Sequence, residues 1–168
     1  MLTDRQNNQL SDMVYRLDSS REDHLEILQS GASIWFPNKG QKTERYQIIK
    51  VEDNQENGMQ AMAVAPIGAD GQPDYSQIII TYAGTNFWDP KDLDTDGQML
   101  VMGNTKTLDL KISESMYRSV ESQAAAALRF AEEVRKQFRN SQITTTGHSL
   151  GESLAIYVAL KNGWDNMG

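Results

Sequence analysis

The stretch Gly147-His148-Ser149-Leu150-Gly151 joins two short segments of opposite character and narrows the folds open to this chain. Residues 142–146 before it read as a strand, rich in β-branched threonine and isoleucine. Residues 151–160 after it are apolar nearly all round and read as a buried helix. A G-x-S-x-G between a strand and a helix has the form of a nucleophile elbow, a sharp, strained turn that presents a serine hydroxyl. Gly147 and Gly151 leave space where a side chain would meet the neighbouring strand and helix. The N–H of Leu150 falls at a helix start, has no intrahelical acceptor, and can donate to an oxyanion. Ser149 is therefore the candidate nucleophile, with Gly147, His148 and Gly151 forming the elbow around it. The alternative is a glycine-rich turn without chemistry.

The rest of the chain supplies the setting. Thr3 and Gln6 form a capping-box pattern, and Leu10, Met13, Val14 and Leu17 follow on one helical face. Residues 1–30 thus read as a helical N-terminal segment, with a second short helix at 23–29. Residues 31–42 hold Gly, Pro and Asn and read as a loop. Strands are predicted at 46–52 and 59–65, joined by the hairpin signal Asn57-Gly58. After a turn at 68–76, the run QIIITY has the continuous apolar character of a strand buried on both faces. That strand runs into Gly84-Thr85. An oxyanion hole takes a second N–H from the loop after another central strand, and Thr85 offers an N–H and a hydroxyl there.

Residues 86–104 form a long, polar, acidic connection of the kind that often carries function. Met116, Tyr117, Val120, Ala124, Leu128, Ala131, Val134 and Phe138 make one apolar stripe, which predicts a helix over 113–139. Glu114 near its start and Arg135, Lys136 and Arg139 near its end suit the helix dipole. The element order predicts a single α/β domain over 1–168, with antiparallel strands leading into a parallel central sheet flanked by helices.

Composition removes several classes of function. The net charge of −7 argues against nucleic acid, whose phosphates require clustered Lys and Arg. With no cysteine, disulfides, thiolate metal sites and a cysteine nucleophile are excluded. No apolar run approaches the ~20 residues of a membrane helix, and residues 1–30 lack the apolar core of a signal peptide. Asp89, Asp92, Asp94 and Asp96 loosely follow an oxygen-rich calcium loop, but no glutamate stands at the twelfth position, so no metal is assigned. Metal-ligand histidine pairs and phosphate-binding glycine loops are missing, and no cofactor is expected. Trp35, Phe36, Phe87 and Trp88 fall in predicted loops and suit either acyl-chain contact or packing over a core edge.

The segments TGHSLG, Leu154-Ala155 and TYAGT, about 65 residues apart with one long helix before the elbow strand, resemble the class 3 lipases of the α/β-hydrolase fold. The resemblance runs from residue 46 to residue 163. It implies serine ester hydrolysis of acyl lipids, with Ser149 as nucleophile, Thr85 and Leu150 as the oxyanion hole, and residues 86–100 near the mouth of the site. It also implies secretion, since many members are secreted, although the residues themselves do not identify a compartment. Glu152 departs from the family, which usually has a small residue there. GHSLGE is instead similar to malonyl-CoA acyl-carrier-protein transacylases, so acyl transfer is the second reading. A catalytically silent module that keeps the elbow is the third.

A serine hydroxyl needs a base to remove its proton. In α/β-hydrolases the acid and the histidine follow the serine in the chain. Here no histidine follows Ser149, and only Asp165 follows as an acid beyond Glu152. His148 lies within the elbow and reads as structural, and His24 reads as a solvated surface residue. The pattern is that of the N-terminal part of a hydrolase domain, with the triad completed outside these 168 residues. Such a chain is expected to expose apolar surface or a strand edge and to rely on self-association, a complementing chain or an unusual compact fold.

Overall fold

A computed structural model describes residues 3–36, 44–83, 107–113 and 116–167, with 107–113 and 116–121 as backbone. The chain opens with α1 (Asp4–Val14). Thr3 caps it as the pattern predicts, with its side chain accepting from the Gln6 N–H while the Gln6 side chain reaches back to the Thr3 N–H. Leu10 and Val14, with Leu17 in the 3₁₀ turn that follows, are buried. Residues 18–32 are turns rather than the second helix expected at 23–29. Polar side chains tie them locally instead, with the Asp18 carboxylate accepting from the N–H and hydroxyl of Ser20.

Six strands form the main sheet in the order β1-β2-β3-β4-β7-β8. β1 (Ser33–Phe36), β2 (Glu44–Asn54), β3 (Met59–Pro66) and β4 (Gln77–Ala83) make an antiparallel meander. β7 (Gln142–Gly147) then pairs parallel to β4, and β8 (Asp165–Asn166) parallel to β7. The antiparallel start and parallel centre match the expectation. β1 corrects the predicted 31–42 loop over residues 33–36, while 37–42 lie outside the described residues, and it moves Trp35 and Phe36 from a loop to an edge strand, Trp35 exposed and Phe36 buried.

Period-two alternation along the central strands feeds two separate cores. Ala61, Ala63 and Ala65 of β3, with Ile78, Ile80 and Tyr82 of β4, face α2 (Gln123–Gln137) and α3 (Leu150–Asn162). Met62 and Val64, with Ile79 and Ala83, face α1, β1 and β2. Alanines on the first face let the alanine-rich start of α2 approach closely. Tyr82 anchors the contact by donating its hydroxyl to the Ala127 carbonyl at 3.0 Å, and burial raises its pKa.

The predicted helix over 113–139 is shorter than its apolar stripe. Met116–Glu121 is strand β6, paired antiparallel with β5 (Thr107–Ser113) in a separate two-stranded sheet. Two signals compete here. Leu108, Leu110 and Ile112 alternate with polar residues at strand period, and Ser122 supplies an N-cap whose side chain accepts from the Ala125 N–H. The cap starts the helix after Glu121 and leaves Met116, Tyr117 and Val120 to the hairpin. α3 also differs from expectation. It is apolar nearly all round, yet Ile156 and Leu160 are 43% and 79% exposed. That face, and the sheet edge at β8, are where covering layers are absent among the described residues.

Candidate active site

Ser149 lies at the C-terminal end of the parallel pair β4–β7, the end of an open α/β sheet where ligands bind. β7 ends at Gly147 and α3 begins at Leu150, so the reversal occupies two residues. Ser149 adopts φ 58° and ψ −125°, and it is the sole non-glycine at positive φ among the described residues. This region is sparsely populated for any side chain and costs of order 1–3 kcal/mol. The surrounding structure imposes it. A Cβ on Gly147 would stand 2.5 Å from the Gly151 carbonyl oxygen and 2.6 Å from the Glu152 nitrogen. Only glycine at 147 allows α3 to start this close to the strand.

The turn is tied on both sides. The Gly151 and Glu152 N–H groups donate to the His148 and Ser149 carbonyls at 3.1 Å each. The Tyr15 hydroxyl donates to the same His148 carbonyl at 3.1 Å, linking the end of α1 to the elbow across 133 positions of sequence. Ser149 and His148 are exposed. Leu150, as the first residue of α3, keeps its N–H free of any backbone acceptor among the described residues. Thr85, the other expected oxyanion donor, lies outside the described residues, as do Phe87, Trp88 and the acidic loop with Asp89, Asp92, Asp94 and Asp96.

Glu152 sits in the first turn of α3 with one carboxylate oxygen buried and unpartnered among the described residues. Burial raises its pKa, and hydrogen bonds from Asn166 and the Gly147 backbone offset this in part. Desolvation thus outweighs the favourable placement of a carboxylate at a helix start.

The other acid and base candidates are not gathered at Ser149. Asp165 pairs beside Thr144, and its carboxylate accepts from Gln142 at the opposite end of β7. The Nδ1 of His24 lies 3.0 Å from the Arg16 carbonyl, so this ring is held in the turn rather than free in solvent. Neither histidine bonds to Ser149 among the described residues. No group of His, Cys, Asp and Glu there could hold a metal.

What the sequence reading missed is the N-terminal wall. Asp12, Tyr15, Arg16, Arg21, Asp23 and His148 line an open cavity of 470 Å³ together with Ser149. Residues 12–23 are far from Ser149 in sequence. Their only local sign is a run of charges, which reads equally well as a solvated surface.

The family model described as Lipase (class 3) matches residues 79–162, half of the 168-residue chain. The chain belongs to the class 3 lipase family, and its mixed sheet is part of an α/β-hydrolase fold. Solved structures similar to it include a Rhizomucor miehei lipase propeptide complex, at 18% identity and a TM-score of 0.34 over 68% of this chain and 34% of that one. Lipase II from Rhizopus niveus is 14% identical with a TM-score of 0.36, over 69% of this chain and 41% of that one. A mutant form of MDLA from Penicillium cyclopium is 12% identical with a TM-score of 0.42, over 96% and 58%. The chain thus spans between about a third and three fifths of the length of these solved chains. No curated protein sequence matches it. Among the described residues, no helix is long and apolar enough to cross a membrane.

Proposed function

We propose that Ser149 is the nucleophile of a carboxylic ester hydrolase acting on lipid esters. The observation that carries this reading is the positive-φ conformation of Ser149 at the strand-to-helix turn. A relaxed turn would place glycine there. A strained serine with an exposed hydroxyl is what acyl transfer requires. Membership of the lipase family favours hydrolysis over transfer to a carrier.

In this mechanism the Ser149 Oγ attacks the ester carbonyl carbon and gives its proton to a base. The oxyanion receives the N–H of Leu150, and Thr85 supplies the second donor. The register supports Thr85, since Tyr82 pairs with Gly147 and β4 ends one residue later. The alcohol leaves with a proton from the base, and water then releases the acyl group as a fatty acid. The histidine and the acid come from outside residues 1–168, either from further sequence or from a complementing chain.

Intact-mass analysis of the natural gene product with a fluorophosphonate tests the assignment. One adduct is expected on the wild type and none on Ser149→Ala. An adduct that survives the substitution, or no adduct on either protein, would overturn it.

A further inference from the structure

A second pair of cavities opens at the end of the sheet opposite Ser149. β3 finishes at this end, and β2, β4 and β7 start there. Gln6 reaches it from the first turn of α1. Two open cavities of 110 and 200 Å³ meet here and share Gln6, Tyr46 and Pro66. α1 runs from these cavities at Gln6 to the elbow at Tyr15, a distance of about 14 Å along its axis. The pair is therefore separate from the cavity that holds Ser149.

In the smaller cavity Pro66 and Ile79 supply apolar surface. Gln77 and Gln142, opposite each other in the first register pair of β4 and β7, supply carboxamides. The larger cavity is lined by Glu44, and there the chemistry is unbalanced. One carboxylate oxygen of Glu44 is buried and has no hydrogen-bond partner among the described residues. No Lys or Arg forms an ion pair with it among them. Strand alternation puts Glu44 and Tyr46 on one face of β2 and Arg45 on the other. Arg45 also lines this cavity, but it is exposed and keeps its charge in water. Tyr46 is buried, and its pKa is pushed up to about 12 by burial first and the Glu44 charge second, with Gln6 opposing. Its hydroxyl thus stays neutral beside the carboxylate. A buried carboxylate oxygen without a donor is costly, and a donor entering the cavity offsets that cost.

We propose that these cavities bind a small aliphatic primary amine, its ammonium on Glu44 and its hydrocarbon chain along Tyr46 and Pro66. Tyr46 and Pro66 are register partners on β2 and β3, so they form one continuous surface beside the carboxylate. An ammonium brings three donors and a full positive charge, and its hydrogen bond to a carboxylate is among the stronger ones. A cavity of about 150 Å³ takes a benzene-sized molecule, so this space suits a chain of about five heavy atoms. An alcohol of the same length offers one neutral donor, and a carboxylate of that length is repelled by Glu44. The site does not depend on the role of Ser149.

Ligand-observed NMR titrations of the natural gene product at neutral pH test the site, with n-butylammonium, butanol and butyrate as probes. Butylammonium should bind about tenfold more tightly than butanol, the scale of one charge-assisted hydrogen bond, and butyrate should not bind. Glu44→Gln keeps the shape, removes the charge and should bring butylammonium to the level of butanol. Asp12→Asn alters a carboxylate in the Ser149 cavity and should leave the preference intact. No binding of butylammonium, equal affinity for butylammonium and butanol, tighter binding of butyrate, or a preference that survives Glu44→Gln would overturn the site. A preference lost in Asp12→Asn would place the amine in the Ser149 cavity and overturn it as well. Fluorophosphonate labelling reports on Ser149 alone, so either idea can fail while the other stands.

Discussion

Two of the sharp reversals beside the sheet pass through positive φ, and they are built in opposite ways. At the β2–β3 hairpin the left-handed residue is Gly58, with φ 72°, and Asn57 Oδ1 accepts the Met59 N–H at 3.0 Å. The residues of the turn itself relieve its strain. At the elbow the positive-φ residue is Ser149, and its neighbours enforce the conformation rather than relieve it. A remote tyrosine, Tyr15, helps hold the peptide before it. The hairpin shows how this chain turns a corner when only folding is at stake. The elbow shows strain kept where a serine side chain is exposed.

Breaking the close approach at the elbow should have the largest effect. Gly147→Ala places a Cβ against the backbone of Gly151 and Glu152, which no rotamer change can avoid. A loss of about 3 kcal/mol is expected, at the severe end for overpacking, read as a fall in the urea midpoint. A loss below about 1 kcal/mol would mean that α3 can slide away from β7, and the strain at Ser149 would not be enforced. Gly58→Ala should lose about 1–2 kcal/mol, because the hairpin has no purpose for a left-handed side chain.

The same reasoning gives the opposite sign one step along the elbow. Ser149→Ala removes the hydroxyl and keeps the strain, whereas Ser149→Gly removes both. Ser149→Gly should be more stable than Ser149→Ala by about 1 kcal/mol, although glycine normally weakens folded structure through the unfolded chain. Equal stabilities would mean that the serine conformation carries no strain, and the contrast with the hairpin would fail.

The hairpin and the elbow were both legible because each is a local pattern. Asn57-Gly58 between apolar runs and G-x-S-x-G between a strand and a helix encode their geometry within a few residues. The hairpin at 107–121 was not legible, because its strand alternation abuts a helical stripe that fits Met116, Tyr117 and Val120 equally well. Only the Ser122 cap decides between them. The wall of charged residues across the cavity was hidden for a different reason. Arg16 and Asp12 share a cavity with Ser149 only because α1 packs over the sheet face next to β4 and β7, and no local pattern records a juxtaposition that distant. Local chemistry singled out Ser149 as the candidate nucleophile, while the groups that share its cavity depend on tertiary packing.

Glu152 gives the smallest and sharpest comparison, since the elbow carries a half-buried carboxylate where the hairpin carries neutral Asn57. Burial raises the Glu152 pKa above its ordinary 4.5. The folded chain therefore holds the proton more tightly than the unfolded chain does. The stability linked to this group is fully present below the ordinary carboxylate pKa and is lost as pH rises through the raised value. Glu152→Gln keeps the shape and removes the titration. The variant should match the wild type near about pH 4 and exceed it near about pH 7, by a few tenths of a kcal/mol up to about 1. Carboxylates held down by partners, such as Glu133 beside Lys50 and Asp74 beside Ser76, destabilise both proteins alike in acid and cancel in the difference. Urea midpoints of the two proteins across that pH range measure it directly. A variant less stable than the wild type near neutral pH would show that the first turn of α3 favours the charge by more than burial opposes it. Glu152 would then be an asset of the elbow rather than a further strain within it.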